Sequence, residues 1–316
     1  MKLFFLLIQM LLIVTANAQK TTTTYYDYNW QPCAISEARF VSTVDNTDSG
    51  WLRKDYFLAT QQLQMAGLYK DSACKIKEGH VSYFYANGNL EAAGRMINNK
   101  RAGIYTRYHY NGVMADSGNY QNDEIVGRKL GWHPNGFMAD SVDKKNDSIT
   151  VEVSWFDNGN PSAYGYYLNK KKQGEWKYFH KNGNLACDEK NDRGNVVSRH
   201  FYDEGGKEQG DKFLADKDAV FKKGLPDWQE YVRQNTYWPS EYKITNSDRA
   251  VVVVSFTVNE DGKTEDIFVS TPFHQLMNKI AIEAISKSPA WKPRIDHNRR
   301  VKQRLRQPVT FQQETE

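Results

Sequence analysis

The chain has 316 residues, with 42 basic and 38 acidic side chains (net +4), 13% aromatic residues, nine prolines and three cysteines. That length holds two or more domains. The near-balanced charge and the aromatic content suit stacked hairpins better than nucleic-acid binding, and three cysteines are too few for a disulfide framework.

Met1-Lys2 precedes an apolar run from Leu3 to Val14, then Thr15-Ala16-Asn17-Ala18-Gln19. One positive charge, an apolar run and an Ala-x-Ala site predict a signal peptide over residues 1–18, cleaved after Ala18. No cysteine follows that site, which argues against a lipoprotein. Export of this kind predicts a periplasmic protein whose membrane association is peripheral at most. The rival reading keeps the segment as an anchor, but a span needs about 20 apolar residues and Gln9 interrupts this shorter run.

Residues 19–50 read as a capping segment. Tyr25-Tyr26-Asp27-Tyr28-Asn29-Trp30 would cover a sheet edge, and Ile35–Phe40 would form a short helix. Pairing of Cys33 with Cys74 stays open. No activating group accompanies either of them or Cys187, so no catalytic thiol is expected.

Residues 51–206 carry a repeat. Asn-Gly pairs fall at Asn87-Gly88, Asn111-Gly112, Asn135-Gly136, Asn158-Gly159 and Asn182-Gly183, and Gly205-Gly206 keeps the step of 23 or 24 residues. Four residues before each turn glycine stands an aromatic: Phe84, Tyr108, Trp132, Trp155, Phe179 and Tyr202. Asn-Gly between residues of high strand propensity signals a hairpin, with positive φ expected at both turn positions. A fixed period signals an array of such units. Each repeat therefore predicts one β-hairpin, the hairpins pairing into an antiparallel meander whose aromatics stack along one face. Tyr56-Phe57-Leu58-Ala59 with Leu63 and Ala66-Gly67 is a worn first copy.

The phrase Gly174-Glu175-Trp176-Lys177-Tyr178-Phe179 before Asn182-Gly183-Asn184-Leu185 resembles the variant MORN repeat of bacterial envelope proteins. His109, His133 and His180 follow the repeat aromatic in three copies. Equivalent slots lie about 10 Å apart, too far to share one zinc ion, so they read as surface histidines and no metal or cofactor is expected. The outer aromatic face would suit a sugar or lipid.

Residues 207–224 lose the repeat and read as a linker. From Leu225 the pattern changes. Trp228, Tyr231 and Val232 have helical spacing, and Trp238-Pro239 closes that element. Val251–Val258 and Thr264–Ser270 are strands about the turn Asn259-Glu260-Asp261-Gly262. Leu276–Ser288 is a helix, and Val301–Phe311 is a last strand. Residues 225–316 thus predict a small α+β domain with its sheet covered on one face.

Trp238-Pro239, Val252–Gly262 with Phe256, Ser288-Pro289-Ala290-Trp291-Lys292-Pro293 and Gln307-Pro308-Val309-Thr310-Phe311 look like a TonB C-terminal domain. Trp238 stands where that family usually has tyrosine, and Ala250 where it usually has glycine. The resemblance implies a periplasmic domain that grips an extended segment of an outer-membrane receptor and links it to an inner-membrane motor. Such a grip is β-strand addition to an open sheet edge.

The last strand is the candidate edge, with Arg300, Lys302, Arg304 and Arg306 expected on one face and Val301, Gln303 and Leu305 on the other. The basic stripe is either a solvated outer face or a steering surface for an acidic receptor segment, peptidoglycan carboxylates or anionic head groups. No Ser/His/Asp set, paired carboxylates, phosphate loop or metal spacing points to an enzyme. The sequence therefore predicts a mainly β, non-enzymatic envelope protein in which a hairpin scaffold presents a TonB-like binding domain. The alternative is an energy transducer that keeps residues 1–18 as its anchor.

Overall fold

The computed structural model describes residues 21–210, 214–222, 224–244 and 247–313, so the expected signal peptide lies outside the described residues. The first strands are β1 (Thr22–Tyr26), β2 (Phe40–Thr47), β3 (Gly50–Phe57), β4 (Leu63–Tyr69) and β5 (Lys77–Phe84). There follow β6 (Leu90–Ile97), β7 (Lys100–Tyr108), β8 (Met114–Gln121), β9 (Glu124–Trp132) and β10 (Met138–Lys144). The run closes with β11 (Ile149–Trp155), β12 (Pro161–Leu168), β13 (Lys171–Phe179), β14 (Leu185–Asp192) and β15 (Asn195–Phe201). All fifteen form one antiparallel sheet in chain order, as the repeat requires. The sheet begins inside the segment read as a cap, and residues 35–37 form a turn instead of a helix. Arg39, at the end of that stretch, turns inward to bond the C-terminal part of the chain (below), and its N–H donates to the Tyr26 carbonyl at 2.8 Å, a bond across to β1 that takes the place of a helical one.

The Asn-Gly pairs do not adopt positive φ at both positions. Gly88, Gly112, Gly136, Gly159 and Gly183 do, at 84–92°, but their asparagines do not. The Gly88 N–H donates to the Tyr85 carbonyl and the Tyr85 N–H to the Asn89 carbonyl, both at 2.9 Å. This is a type I turn closed by a left-handed glycine. Two-residue loops with positive φ at both positions lie at the opposite sheet end, at Asn98-Asn99, Asn122-Asp123 and Asn169-Lys170. Asparagine is placed in the Asn-Gly turn by its side chain. The Asn87 Oδ1 accepts the Asn89 N–H at 3.0 Å, and its Nδ2 donates to the Tyr110 carbonyl of the next repeat at 3.0 Å. Asn111, Asn135, Asn158 and Asn182 repeat the second bond to Pro134, Asp157, Lys181 and Glu204.

The histidines belong to the same ladder. Nε2 of His109, His133 and His180 lies 2.7, 2.9 and 2.9 Å from the carbonyl oxygens of Trp132, Trp155 and Tyr202 in the following repeats, and Tyr85 donates its hydroxyl to Tyr108 in the equivalent way. They are therefore half-buried or buried staples between repeats, not surface side chains. His180 is 5% exposed. Replacing it with alanine is expected to cost about 1 kcal/mol, because the bond between repeats is lost while the Tyr202 carbonyl keeps the Asn298 amide at 2.8 Å. A shift in the urea midpoint measures this, and an unchanged midpoint would refute it.

Registers align one residue from each strand into a transverse file. It runs through Asp55, Met65, Tyr83, Ala92, Arg107, Asp116, Gly131, Asp140, Ser154, Ala163, Tyr178 and Cys187. Directly opposed residues share a face, so one face buries Met65, Tyr120, Trp176, Tyr178 and Cys187. Its acids are paired, Asp55 with Arg53, Asp116 with Arg107 and Asp140 with Lys129.

The C-terminal part comprises α1 (Leu225–Gln234), β16 (Arg249–Val258), β17 (Thr264–Thr271), α2 (Gln275–Ser286), β18 (Arg294–Asp296), β19 (Arg299–Val301) and β20 (Gln303–Gln312). Its main sheet has the order β17–β16–β20. Val252, Val254, Phe256 and Val258 pack under the helices against Trp228, Met277, Ala281, Ile285 and Trp291. The stretch read as a linker is packed too: Phe221 is 1% exposed within this core, and Val220 bridges to Lys292.

The sheet is not covered on one face only. Val251, Val253, Ser255 and Thr257, on the face away from the helices, are also buried, and the contacts on that side come from the array. Arg39 donates to the Val251 carbonyl at 3.1 Å and its guanidinium lies over Phe273. Tyr110 stacks on Phe268 with centroids 4.1 Å apart, Tyr85 meets the same ring edge-on, and Tyr178 stacks on His297 at 3.7 Å.

Candidate partner-binding edge

β20 pairs with β16 on one side, from Gln303↔Val258 to Gln312↔Arg249. Among the described residues no strand pairs with its other side. Pro308 sits inside it, a residue tolerated in a sheet where the strand is an edge. The edge is therefore open. Leu305, Val309 and Phe311 point to the helix side and pack on the core, while Arg304, Arg306, Pro308 and Thr310 alternate with them and are exposed.

Beside the edge runs a groove of about 360 Å³ walled by Phe221, Leu225, Trp228, Leu305, Arg306 and Gln307. Its floor is the aromatic cluster of Phe221, Trp228 and Trp291. The Trp228 indole donates to the Gln307 Oε1 at 2.6 Å, which fixes one groove wall to the edge strand. Backbone groups of an open strand next to an apolar groove can hold an extended peptide by main-chain bonds with an apolar side chain sunk beside it.

The basic stripe is not the continuous face that the sequence predicts. Arg300 and Val301 belong to β19, and the ladder breaks at Lys302 before β20 starts. β19 pairs with β18 about the His297-Asn298 turn, and only from Gln303 does the chain pair with β16, so Arg300 and Arg304 belong to different sheets. Lys302 itself is committed. It pairs with Asp157 of the array at 2.7 Å and with Glu265. Arg304 lies over Phe268 and donates to the Asp266 carbonyl, and Arg306 reaches Thr271. Arg300 remains exposed, and Leu305 lines the groove.

The motif residues are structural. Phe256, Trp291 and Phe311 are core. The Trp238 indole and the Pro239 carbonyl each bond the backbone of Tyr242. Pro293 leads into β18, Pro308 marks the edge, and Gly262 accepts the Trp291 N–H at 2.8 Å.

The charged network beside Lys302 is not legible in the sequence, because Asp157, Lys181, Glu260 and Lys302 sit in four separate connections and only Glu265 lies within a strand. Lys181 bridges Asp157 at 2.8 Å and Glu260 at 3.2 Å, joining the array to the β16–β17 turn. Burial alone would raise the Asp157 carboxyl, but hydrogen bonds and charge from Lys181 and Lys302 outweigh it and hold it down to about 2. Glu189, bound by Asn191, Arg199 and Lys172, is likewise held down to about 2 against its burial. The unfolded chain binds protons at both sites first as pH falls, from ordinary values of 3.8 and 4.5. Their stabilisation is therefore complete above about pH 4.5 and lost toward pH 2. The urea midpoint is expected to fall between pH 5 and pH 3, and Glu189→Gln to lower it at pH 7 and flatten that fall. A midpoint independent of pH across this window would contradict the assignment.

Asp216, Asp296 and His297 bring three potential ligand atoms within 4.8 Å of one another. Asp296 is already paired with Arg299, and His297 is stacked on Tyr178, so interface packing accounts for the cluster. The cysteines are unpaired. Cys187 is buried, and burial pushes its thiol up to about 12, unsuited to nucleophilic work.

Comparison with protein families matches residues 235–312 to the C-terminal domain of Gram-negative bacterial TonB protein and residues 77–98 and 172–188 to the MORN repeat variant. No curated protein matches the chain. The chain thus joins MORN-type hairpins to a TonB-type C-terminal domain. Both are non-enzymatic kinds of domain, and the second is a protein-binding domain of the Gram-negative envelope. No described helix is long and apolar enough to cross a membrane.

Proposed function

We propose that this is a non-enzymatic periplasmic protein whose TonB-type domain takes an extended segment of an envelope partner onto β20, with the hairpin array as its rigid mount. The observation that carries this reading is the open edge of β20 beside an apolar groove. The array supports the far face of the same sheet through Arg39, Tyr110 and Asp157, and of the sheet's two borders, β17 and β20, it is β20 that lies beside the apolar groove. A receptor segment fits this edge better than peptidoglycan, because the site offers unpaired backbone and an apolar groove. Three of the four basic side chains of the stripe, Lys302, Arg304 and Arg306, are held by contacts within the chain.

A photo-crosslinking residue placed at Arg306 in cells tests this, with the same probe at Glu230 on the exposed side of α1 as reference. Capture of an envelope protein from position 306 and not from 230 is expected. Equal yields from both positions would refute strand addition at β20. The energy-transducer alternative requires residues 1–18 to stay attached, and a mature N-terminus at Gln19 excludes it.

A further inference from the structure

The cap segment does more than close the sheet. It folds over the early repeats, with Trp30 stacked on Phe40 at 4.0 Å and the two rings 11° apart. Between Trp30 and the buried face of β3–β5 lies a cavity of about 340 Å³ that shares no lining residue with the groove beside β20 and is unused by the proposed grip. Its walls include the rings of Trp30, Tyr69 and Tyr83 and the cations Arg53, Lys75 and Lys77.

Against those three cations stands one lining carboxylate, Asp55, and that acid is spent on Arg53 at 2.8 Å and on Ser42. Lys77 has only the Tyr83 ring beside its ammonium, 5.6 Å from the centroid. Among the described residues neither Lys75 nor Lys77 has an acidic partner, although ion pairs are made all around them, such as Lys70 with Glu78. Gln64 adds its amide to the same wall.

A cavity rich in donors and short of acceptors selects an anion, since a charge-assisted hydrogen bond is about twice as strong as a neutral one. Aromatic walls favour a ring-shaped body whose C–H faces pack on them, and concave sites with a few convergent polar groups are where small ligands bind. We infer that this cavity is a binding site for a small anionic sugar, its carboxylate or phosphate held by Lys75, Lys77 and Arg53 and its ring packed beside Trp30 and Tyr83.

Calorimetric titration of the full-length chain with glucuronate, glucose 6-phosphate and glucose tests the assignment. The first two separate a carboxylate from a phosphate source. At least one anion is expected to bind roughly tenfold or more tightly than glucose, with affinity falling as salt rises. The double variant Lys75→Gln/Lys77→Gln is expected to abolish that preference, Lys77→Arg to retain it, and Trp30→Ala to weaken binding with the lysines intact. Thermal melting of each variant shows that the sheet has stayed folded. Anions that bind no better than glucose, or a double variant that binds them like the parent chain, would overturn the site.

Discussion

Gly262→Ala is expected to destabilise the C-terminal domain by about 3–5 kcal/mol, a large share of the stability of a domain of this size. Two costs combine. Gly262 has φ near 80°, a conformation that costs other residues about 1–2 kcal/mol. A Cβ there would also overlap the Trp291 carbonyl oxygen and lie 3.0 Å from its carbon and 3.2 Å from its nitrogen. That neighbour cannot yield easily, because Trp291 donates its own N–H back to Gly262 at 2.8 Å and its ring is core. Gly136, in an array turn, is the matched control, with φ of 86° and nothing within 4 Å of a built Cβ. Gly136→Ala should cost only about 1 kcal/mol. Urea titrations of both variants followed by tryptophan fluorescence measure the difference. Equal losses would mean that the backbone approach to Trp291 carries no energy.

The same pair of glycines shows what the sequence does and does not display. A period of 23 or 24 residues with one aromatic per step is a local pattern, and each hairpin closes on its own neighbours, so the meander is legible from spacing alone. Turn type is less so. Asn-Gly favours a two-residue loop by backbone preference, but here Asn87 gains a second bond to Tyr110 in the next repeat, and only the assembled array contains that acceptor. The histidines were misread for the same reason, since His109 is bonded to a backbone carbonyl that carries no side-chain signal. The docking of the C-terminal sheet on the array was least legible. Tyr110 meets Phe268, and Asp157 meets Lys302, across about half the chain, and neither aromatic nor charged residues announce their partners in a single sequence. The groove beside β20 was hidden as well, since one of its walls comes from a segment read as a linker. Phe221 was the available clue, an aromatic residue in an otherwise charged stretch.

Within the array the largest effect is expected where Trp176 crosses Gly165. The indole is 2% exposed, donates to the Tyr166 carbonyl at 3.1 Å and packs against Tyr167 and Tyr178. A Cβ on Gly165 would fall within this ring, 2.6 Å from Cγ and closer still to Cδ2 and Cε2. Trp176→Ala is expected to cost about 3–5 kcal/mol through the lost contacts and the cavity left behind. Gly165→Ala is expected to cost about 2–3 kcal/mol, because a ring clamped by its own hydrogen bond must move. The two losses should not add. With the indole gone the new methyl group enters vacant space, and alanine restricts the unfolded chain more than glycine does, by about 0.4–1 kcal/mol. Gly165→Ala in the Trp176→Ala background should therefore be neutral or stabilising, a coupling of roughly 2–3 kcal/mol between the sites. Urea midpoints of the two single variants and the double variant close this cycle. Additive losses would show that the ring and the glycine do not compete for one volume, and that the repeat tolerates a side chain where the packing described here excludes it.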